Sequence, residues 1–181
     1  GPAKVGVLTS GLTGSMSGSV ITNVLTTGSI TIPAMKKVGF RPSYAAGIEA
    51  AASTGAVLMP PIMGATAFVM ASFLLTDYTN IVVAAVLPSL LYFFALFAQI
   101  DAYSARNGLK GVPRAELPKF GKVLREGWYF LAVFGLLIWM LLYLKREAIA
   151  PFYATALLIG LNQLLSKSRW GRQELMNFLV A

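Results

Sequence analysis

The chain contains no cysteine and no histidine in 181 residues, and only 12% of them are charged. The missing cysteine leaves no disulfide framework and no redox compartment to read. The missing histidine removes imidazole catalysis and most zinc or haem sites. Soluble domains average about a quarter charged. Half that level, with 56% hydrophobic residues and a mean hydropathy of +0.69, points to an integral membrane protein. No initiator methionine and no pattern of basic start, short apolar run and small-residue cleavage site opens the chain. Gly1-Pro2 has the character of a tag scar, yet residues 5–14 read as the inside of an element. The chain is therefore expected to be a fragment that starts mid-domain.

Four hydrophobic blocks follow residue 43. Block one, residues 44–75, is broken by Pro60-Pro61. Block two covers 81–100 with one proline at 88, block three 128–144, and block four 148–165. Runs of seventeen to twenty residues reach roughly 26–30 Å as helix, enough to cross a hydrocarbon core. Trp128, Tyr129, Tyr143, Phe152 and Tyr153 stand near block ends, as interfacial anchors do. Residues 101–127 carry the Gly, Pro and charge content of an aqueous loop, with an interfacial helix expected at 118–126. The tail, 166–181, reads as a basic turn and a short amphipathic element. This pattern predicts an all-α membrane fold with three parts: a hairpin and broken helix (1–75), a long transmembrane helix and cytoplasmic loop (76–127), and two transmembrane helices with a basic tail (128–181).

The net charge of +8 follows the membrane loops, so no nucleic-acid partner is needed to explain it. Lys4, Lys36, Lys37, Arg41, Arg106, Lys110, Arg114, Lys119, Lys122, Arg125, Lys167, Arg169 and Arg172 fall on one side, Lys145 and Arg146 on the other. Thirteen against two fits the positive-inside rule with the richer side cytoplasmic.

The stretch from Gly11 to Thr31, "GLTGSMSGSVITNVLTTGSIT", holds 14 Gly, Ser, Thr or Asn residues in 21 and no charge. Non-helical backbone at membrane depth survives only where protein or a watery cavity satisfies it. Gly14, Gly18 and the serines around them suit a tight turn between arms half a bilayer long. This predicts a re-entrant hairpin with Ser15, Ser17, Gly18 and Ser19 at its tip. On the outgoing arm Ser19, Asn23 and Thr26 or Thr27 share one helix face. Pro60 and Pro61 lack N–H groups, so the carbonyls of Ala56 and Val57 lose their helical partners, and Met59 is pushed from the α region. A broken helix with Thr54 and Gly55 beside the break is expected. Apposing tip and break gives an uncharged, oxygen-rich pocket that suits Na⁺ better than a transition metal; Ser17, Ser19, Asn23 and Gly55 are the Na⁺ candidates. Glu49, roughly one turn into block one, is a functional candidate as an intramembrane carboxylate, with H⁺ as an alternative coupling ion. Its structural alternative is a solvated or Ser/Lys-paired interfacial Glu. Asp77 and Asp101 read as solvated caps. For Gly14 and Gly18 the alternative is helix packing by small residues; for the prolines it is a simple kink.

"GSMSGSVITNVLTTGSITIPAMKKVGF", "EAAASTGAVLMPPIMGATAF" and "LPSLLYFFALFAQIDAYSARNGLKG" resemble the large membrane subunit of TRAP transporters, in particular fused permeases that work with TAXI-type solute-binding proteins. The resemblance runs from Pro2 to about Gly111 and is mostly hydropathic beyond. It implies an elevator-type, ion-coupled importer of organic acids in the inner membrane of a bacterium or archaeon, fed by a periplasmic binding protein. It also implies that hairpin and broken helix belong to the mobile transport domain, with the tip at 15–19, Asn23 on the polar arm and the break at 54–61. Such permeases carry two inverted repeats. Only one hairpin-and-break unit is written here, so the chain is expected to be half of the repeat pair. An intramembrane enzyme lacks a base, since no histidine exists and the lysines flank the membrane. A channel would repeat its pore loop or ring it with charge; a non-transporting scaffold is the remaining alternative.

The charge asymmetry places residues 101–127 in the cytoplasm and the turn at 145–147 outside. Single cysteines at Gly108 and Glu147, in this cysteine-free background, test it with an impermeant maleimide on intact cells. Labelling at Glu147 alone is expected; labelling at Gly108 alone contradicts the topology.

Overall fold

Proline at a first helical position and glycine just past a last one are strong local boundaries, and several helices here use them. The computed structural model of the chain describes residues 1–109, 111, 120–144 and 149–165, and over these it is entirely helical apart from turns. Pro2 opens α1 (Pro2–Ser17), and Gly18 closes it in the left-handed conformation at φ 63°, its N–H donating to Gly14 O. Ser19 caps α2 (Val20–Lys37) by accepting from Thr22 N, and Lys36 and Lys37 lie in its last turn, where cations favour the helix dipole. Pro42 opens α3 (Pro42–Ala56). After a seven-residue irregular stretch, 57–63, α4 (Gly64–Phe73) begins from Met63 at φ 54°. Next come α5 (Tyr78–Arg106), α6 (Phe120–Leu142) and α7 (Ala150–Leu165).

The expected hairpin is α1–α2, turning at Gly18 and Ser19 alone; Gly14 remains helical inside α1. The expected broken helix is α3–α4, with a cis bond between Pro60 and Pro61 in the gap. Block two is the core of α5, a helix of 29 residues. Among the described residues it is the one helix long and apolar enough to cross a membrane, with an 18-residue window of mean hydropathy 2.5. Blocks three and four correspond to α6 and α7, with apolar stretches Leu131–Leu142 and Phe152–Leu161 among the described residues. The charged loop is shorter than expected, because α6 already starts at Phe120. The tail and the turn at 145–148 lie outside the described residues.

Contacts divide the chain into two units, Gly1–Leu117 and Pro118–Ala181. In the first, α1, α2 and α3 pack mutually and α5 packs on α3 and α4. Ala3, Val7, Ser10 and Gly14 form the buried stripe of α1, and Ala45, Ile48, Ala52, Ser53 and Ala56 answer from α3. These small residues recur at i, i+3 and i+4 spacings, which lets helices in a membrane approach closely enough for van der Waals attraction to hold them. Met35, Phe40, Leu96 and Ile100 extend the apolar core toward the basic end. There Phe40, Tyr44 and Tyr103 stack, with the two tyrosine rings 3.7 Å apart. Asp101, expected as a solvated cap, sits inside α5 and pairs with Lys4 at 2.7 Å. Asp77 is at the N-cap of α5, as its helix-end position suggested. In the second unit α6 and α7 pack together, burying Val133, Met140, Leu141, Ala150 and Ala154, while Tyr143, Phe152 and Tyr153 stay exposed.

Gly14 is the tightest test of this packing. A Cβ there would lie 2.6 Å from Asn23 Nδ2 and closer still to Ala56 Cβ. Overpacking of this kind costs about 1–3 kcal/mol, so Gly14→Ala is expected to lower the thermal unfolding midpoint of the full-length protein in detergent. Gly47→Ala, whose Cβ meets nothing within 4 Å, is expected to leave the midpoint unchanged or raise it. Equal midpoints for the two variants contradict the close approach of α1 and α3.

Candidate functional site

Three helix ends meet where the hairpin tip touches the broken helix. α1 ends and α2 and α4 begin there, and α3 ends at Ala56 against Gly14, one turn below the tip. Gly18 and Gly64 are in backbone contact: a Cβ added to Gly64 would lie 3.0 Å from Gly18 O and nearer still to Gly18 Cα. Both glycines have positive φ, 63° and 66°, a conformation that L side chains with a Cβ resist. The contact therefore asks for glycine twice, once for conformation and once for space. Helix starts present unsatisfied N–H groups with partial positive charge, and helix ends present carbonyls with partial negative charge.

Below the tip lies a second polar centre. Glu49, expected near the interface, is only 1% exposed. Glu49 Oε1 accepts from Ser10 at 2.9 Å, Thr27 at 2.5 Å and Ser53 at 3.3 Å, and Oε2 accepts from Thr31 at 2.5 Å. Asn23, also 1% exposed, is the hub beside it. Asn23 Nδ2 donates to Ser10 O, Ser10 Oγ and Ser53 Oγ at 2.8–3.1 Å, and Asn23 Oδ1 accepts from Thr13 at 2.8 Å. The centre follows from helical spacing. Asn23, Thr27 and Thr31 stand four apart on α2, and Glu49 and Ser53 four apart on α3, so each set lies on one face.

The expected tip–break pocket is thus split. Asn23 faces Ser10 and Ser53, not Thr54. Thr54 is exposed and donates to Ala50 O of its own helix. Ser15 is buried and bonds Leu12 O. Ser17 donates to Gly14 O and accepts from Ser19 N, and Ser19 caps α2. The Ala56 carbonyl is not left free by the prolines: α3 ends early and Met59 N donates to Ala56 O, as Leu58 N does to Gly55 O, both at 3.0 Å. Last turns commonly tighten this way to satisfy end carbonyls. Gly55 is buried against the Tyr92 ring, and Val57 is half-buried at the end of α3. Pro60 faces α1 and α5, lining a cavity of ≈ 320 Å³ with Gly11, Met59 and Phe93. The Pro61 carbonyl accepts from the buried Tyr78 hydroxyl at 2.7 Å, which pins the break to the start of α5. Sequence reasoning missed Ser10, Thr13, Thr31 and Ser53. Extending the Asn23–Thr27 stripe by one turn, and reading Glu49 and Ser53 as a pair, identifies the last two.

The chain belongs to the family described as Tripartite ATP-independent periplasmic transporter, DctM component, which it matches over residues 1–181. Protein y4mL of Sinorhizobium fredii, whose function is uncharacterized, is 32% identical over 113 residues, covering 62% of this chain and 26% of y4mL. The ectoine/5-hydroxyectoine TRAP transporter large permease protein UehC of Ruegeria pomeroyi is 29% identical over 113 residues, covering 62% of this chain and 26% of UehC. The match thus spans about a quarter of the length of these curated relatives. No solved structure matches the chain.

The two polar centres differ in what a lost side chain leaves behind. Asn23→Ala removes the buried amide that bonds Ser10, Ser53 and Thr13, at about 1–3 kcal/mol. Thr54→Ala removes an exposed hydroxyl bonded to its own helix and changes stability by no more than about 0.5 kcal/mol. Unfolding of the two variants in the full-length protein checks the ranking; a larger loss for Thr54→Ala contradicts the placement of Asn23.

Proposed function

We infer that the chain is part of the moving, substrate-carrying body of a secondary importer. The importer takes up a small organic acid handed over by a periplasmic solute-binding protein and couples its entry to Na⁺. The observation that carries this reading is the meeting of three helix ends at Gly18 and Gly64, within a chain of the DctM family. Half-helix ends near the bilayer middle are how many secondary transporters hold cations and anionic substrates without side-chain charge. Ser17 and Ser19 at the tip supply oxygens for Na⁺, while Asn23 braces α2 behind them. The N-termini of α2 and α4 supply the positive ends for a carboxylate.

In this reading α1–α2 enters the inner membrane of a bacterium or archaeon as a re-entrant hairpin. α3–α4 crosses as a broken helix, α5 returns, and α6 and α7 cross beyond. A second hairpin-and-break unit elsewhere in the same permease closes the site from the opposite side. The lipid bilayer covers the exposed apolar residues of α5, such as Val83, Leu87, Leu90 and Phe94.

Uptake by the reconstituted full-length permease is then expected to require both a Na⁺ gradient and the binding protein. Ser19→Ala removes an oxygen from the tip and is expected to raise the Na⁺ concentration for half-maximal uptake by about 5-fold or more, the lower end of typical site coupling. Unchanged Na⁺ dependence at normal expression overturns the ion site at the tip and leaves the hairpin as a packing element.

A further inference from the structure

Glu49 takes no part in the tip–break contact, yet among the described residues of the first unit it is the most completely enclosed charged one. The one ion pair among the described residues, Lys4–Asp101, is exposed and does not involve it. Each neighbouring helix presents hydroxyls to the carboxyl instead of charge: Ser10 from α1, Thr27 and Thr31 from α2, Ser53 from α3 itself. The other titratable groups on these helices are committed elsewhere. Lys4 of α1 is paired, Lys36 and Lys37 of α2 are exposed in its last turn, and Arg41 is exposed at the start of α3. Tyr44 of α3 stacks on Tyr103 of α5, and Tyr92 of α5 donates its hydroxyl to Ala51 O.

The chemistry of that shell is specific. N–H groups and guanidinium can only donate, so they hold a carboxylate in its ionised form; a hydroxyl donates to a carboxylate and, turned about its C–O bond, accepts from a carboxylic acid. Thr27 has one proton and two acceptors, Glu49 Oε1 at 2.5 Å and Asn23 O at 2.7 Å. With Glu49 ionised, Thr27 donates to the carboxylate. With Glu49 protonated on Oε1, the carboxyl donates to Thr27, whose own proton turns to the Asn23 carbonyl. On the Oε1 side both protonation states keep the Thr27 bond with no heavy atom displaced.

An entry route is present as well. Thr27 and Thr31, the two α2 hydroxyls on the carboxyl, also line a groove of ≈ 640 Å³ along the hairpin, where a row of Thr9, Thr13 and Thr26 runs through a mostly apolar wall that includes Val5, Ile30 and Ala34. The three threonines of that row are exposed. We propose that Glu49 is a proton-exchange site, loaded from this threonine-lined groove through the hydroxyls of Thr27 and Thr31. A hydronium in the groove gives a proton to Thr31 Oγ1 while the proton already on Thr31 passes to Glu49 Oε2. Water remains in the groove, Thr31 is again a neutral hydroxyl, and the carboxyl is neutral. The state of the carboxyl reaches the tip through Ser10 and Asn23, since Asn23 Nδ2 lies against Gly14 one turn from Gly18. The inference rests on the import reading only for its use, a proton as a second coupled cation.

Infrared difference spectroscopy of the full-length permease in lipid vesicles, stepped in pH without substrate or Na⁺, reads protonated carboxyls by their C=O stretch. A wild-type band that disappears in Glu49→Gln is expected, with the unfolding midpoint certifying the fold. In the Thr27→Val/Thr31→Val double variant the band is expected to keep its amplitude. It should appear after a pH jump on the order of 100-fold more slowly, the usual worth of a positioned proton-transfer group. A carboxyl spectrum unchanged by Glu49→Gln overturns the site, and an unchanged rate in the double variant overturns the route. If Glu49→Gln does not fold, Glu49→Asp replaces it: a shifted band supports the site and an unshifted one overturns it. Because no substrate or Na⁺ is present, failure here leaves the Na⁺-coupled import reading standing, and loss of that reading leaves this result untouched.

Discussion

A buried carboxyl must find its hydrogen-bond partners within the protein, or it costs several kcal/mol. In this chain that requirement ties three helices together. Glu49 on α3 is satisfied only if α1 brings Ser10 and α2 brings Thr27 and Thr31 to it at once. The hairpin cannot slide along α3 or rotate on it without breaking several of these bonds. Apolar packing cannot supply such a register in a membrane, because lipid tails are as apolar as the helix surfaces. The Ala and Gly stripes of α1 and α3 allow the helices to approach; the Glu49 shell fixes where they stop.

That fixed register places the tip. With α1–α2 set against α3, Gly18 arrives at Gly64 and the three helix ends meet. Tyr78 holds the other side of the break by donating to Pro61 O and Ile62 O. The carrier site proposed above needs this support, since ligands that are backbone groups take the positions of whole helices. The hairpin and broken helix are therefore packed as one body, and the Glu49 shell lies at its centre.

The elements of this body were legible in the sequence and their junctions were not. A long neutral run of small hydroxyl residues around Gly18 identified the hairpin, and Pro60-Pro61 identified the break, because each imposes a backbone constraint that acts locally. The partners of Asn23 could not be read the same way. Its distance from Ser10 along the hairpin depends on where the turn falls, and the turn at Gly18–Ser19 is tighter than a tip spread over 15–19. The freed carbonyl at Ala56 was a fair deduction from proline chemistry, but it assumed a helix that continues to Pro60. The helix instead ends at Ala56 and closes its carbonyls on Leu58 and Met59. Glu49 was recognised as unusual, yet its depth depends on how far α2 covers α3, a tertiary fact. Asp101 was misplaced for a similar reason: α5 runs on to Arg106, beyond its apolar stretch.

The central claim is that the Glu49 shell couples the hairpin to α3. A double-mutant cycle on unfolding of the full-length protein measures it most directly, using Thr31→Val on α2 and Glu49→Leu on α3. A shared hydrogen bond predicts a coupling of about 1 kcal/mol or more. Effects that add within about 0.4 kcal/mol, as for independent sites, contradict the account.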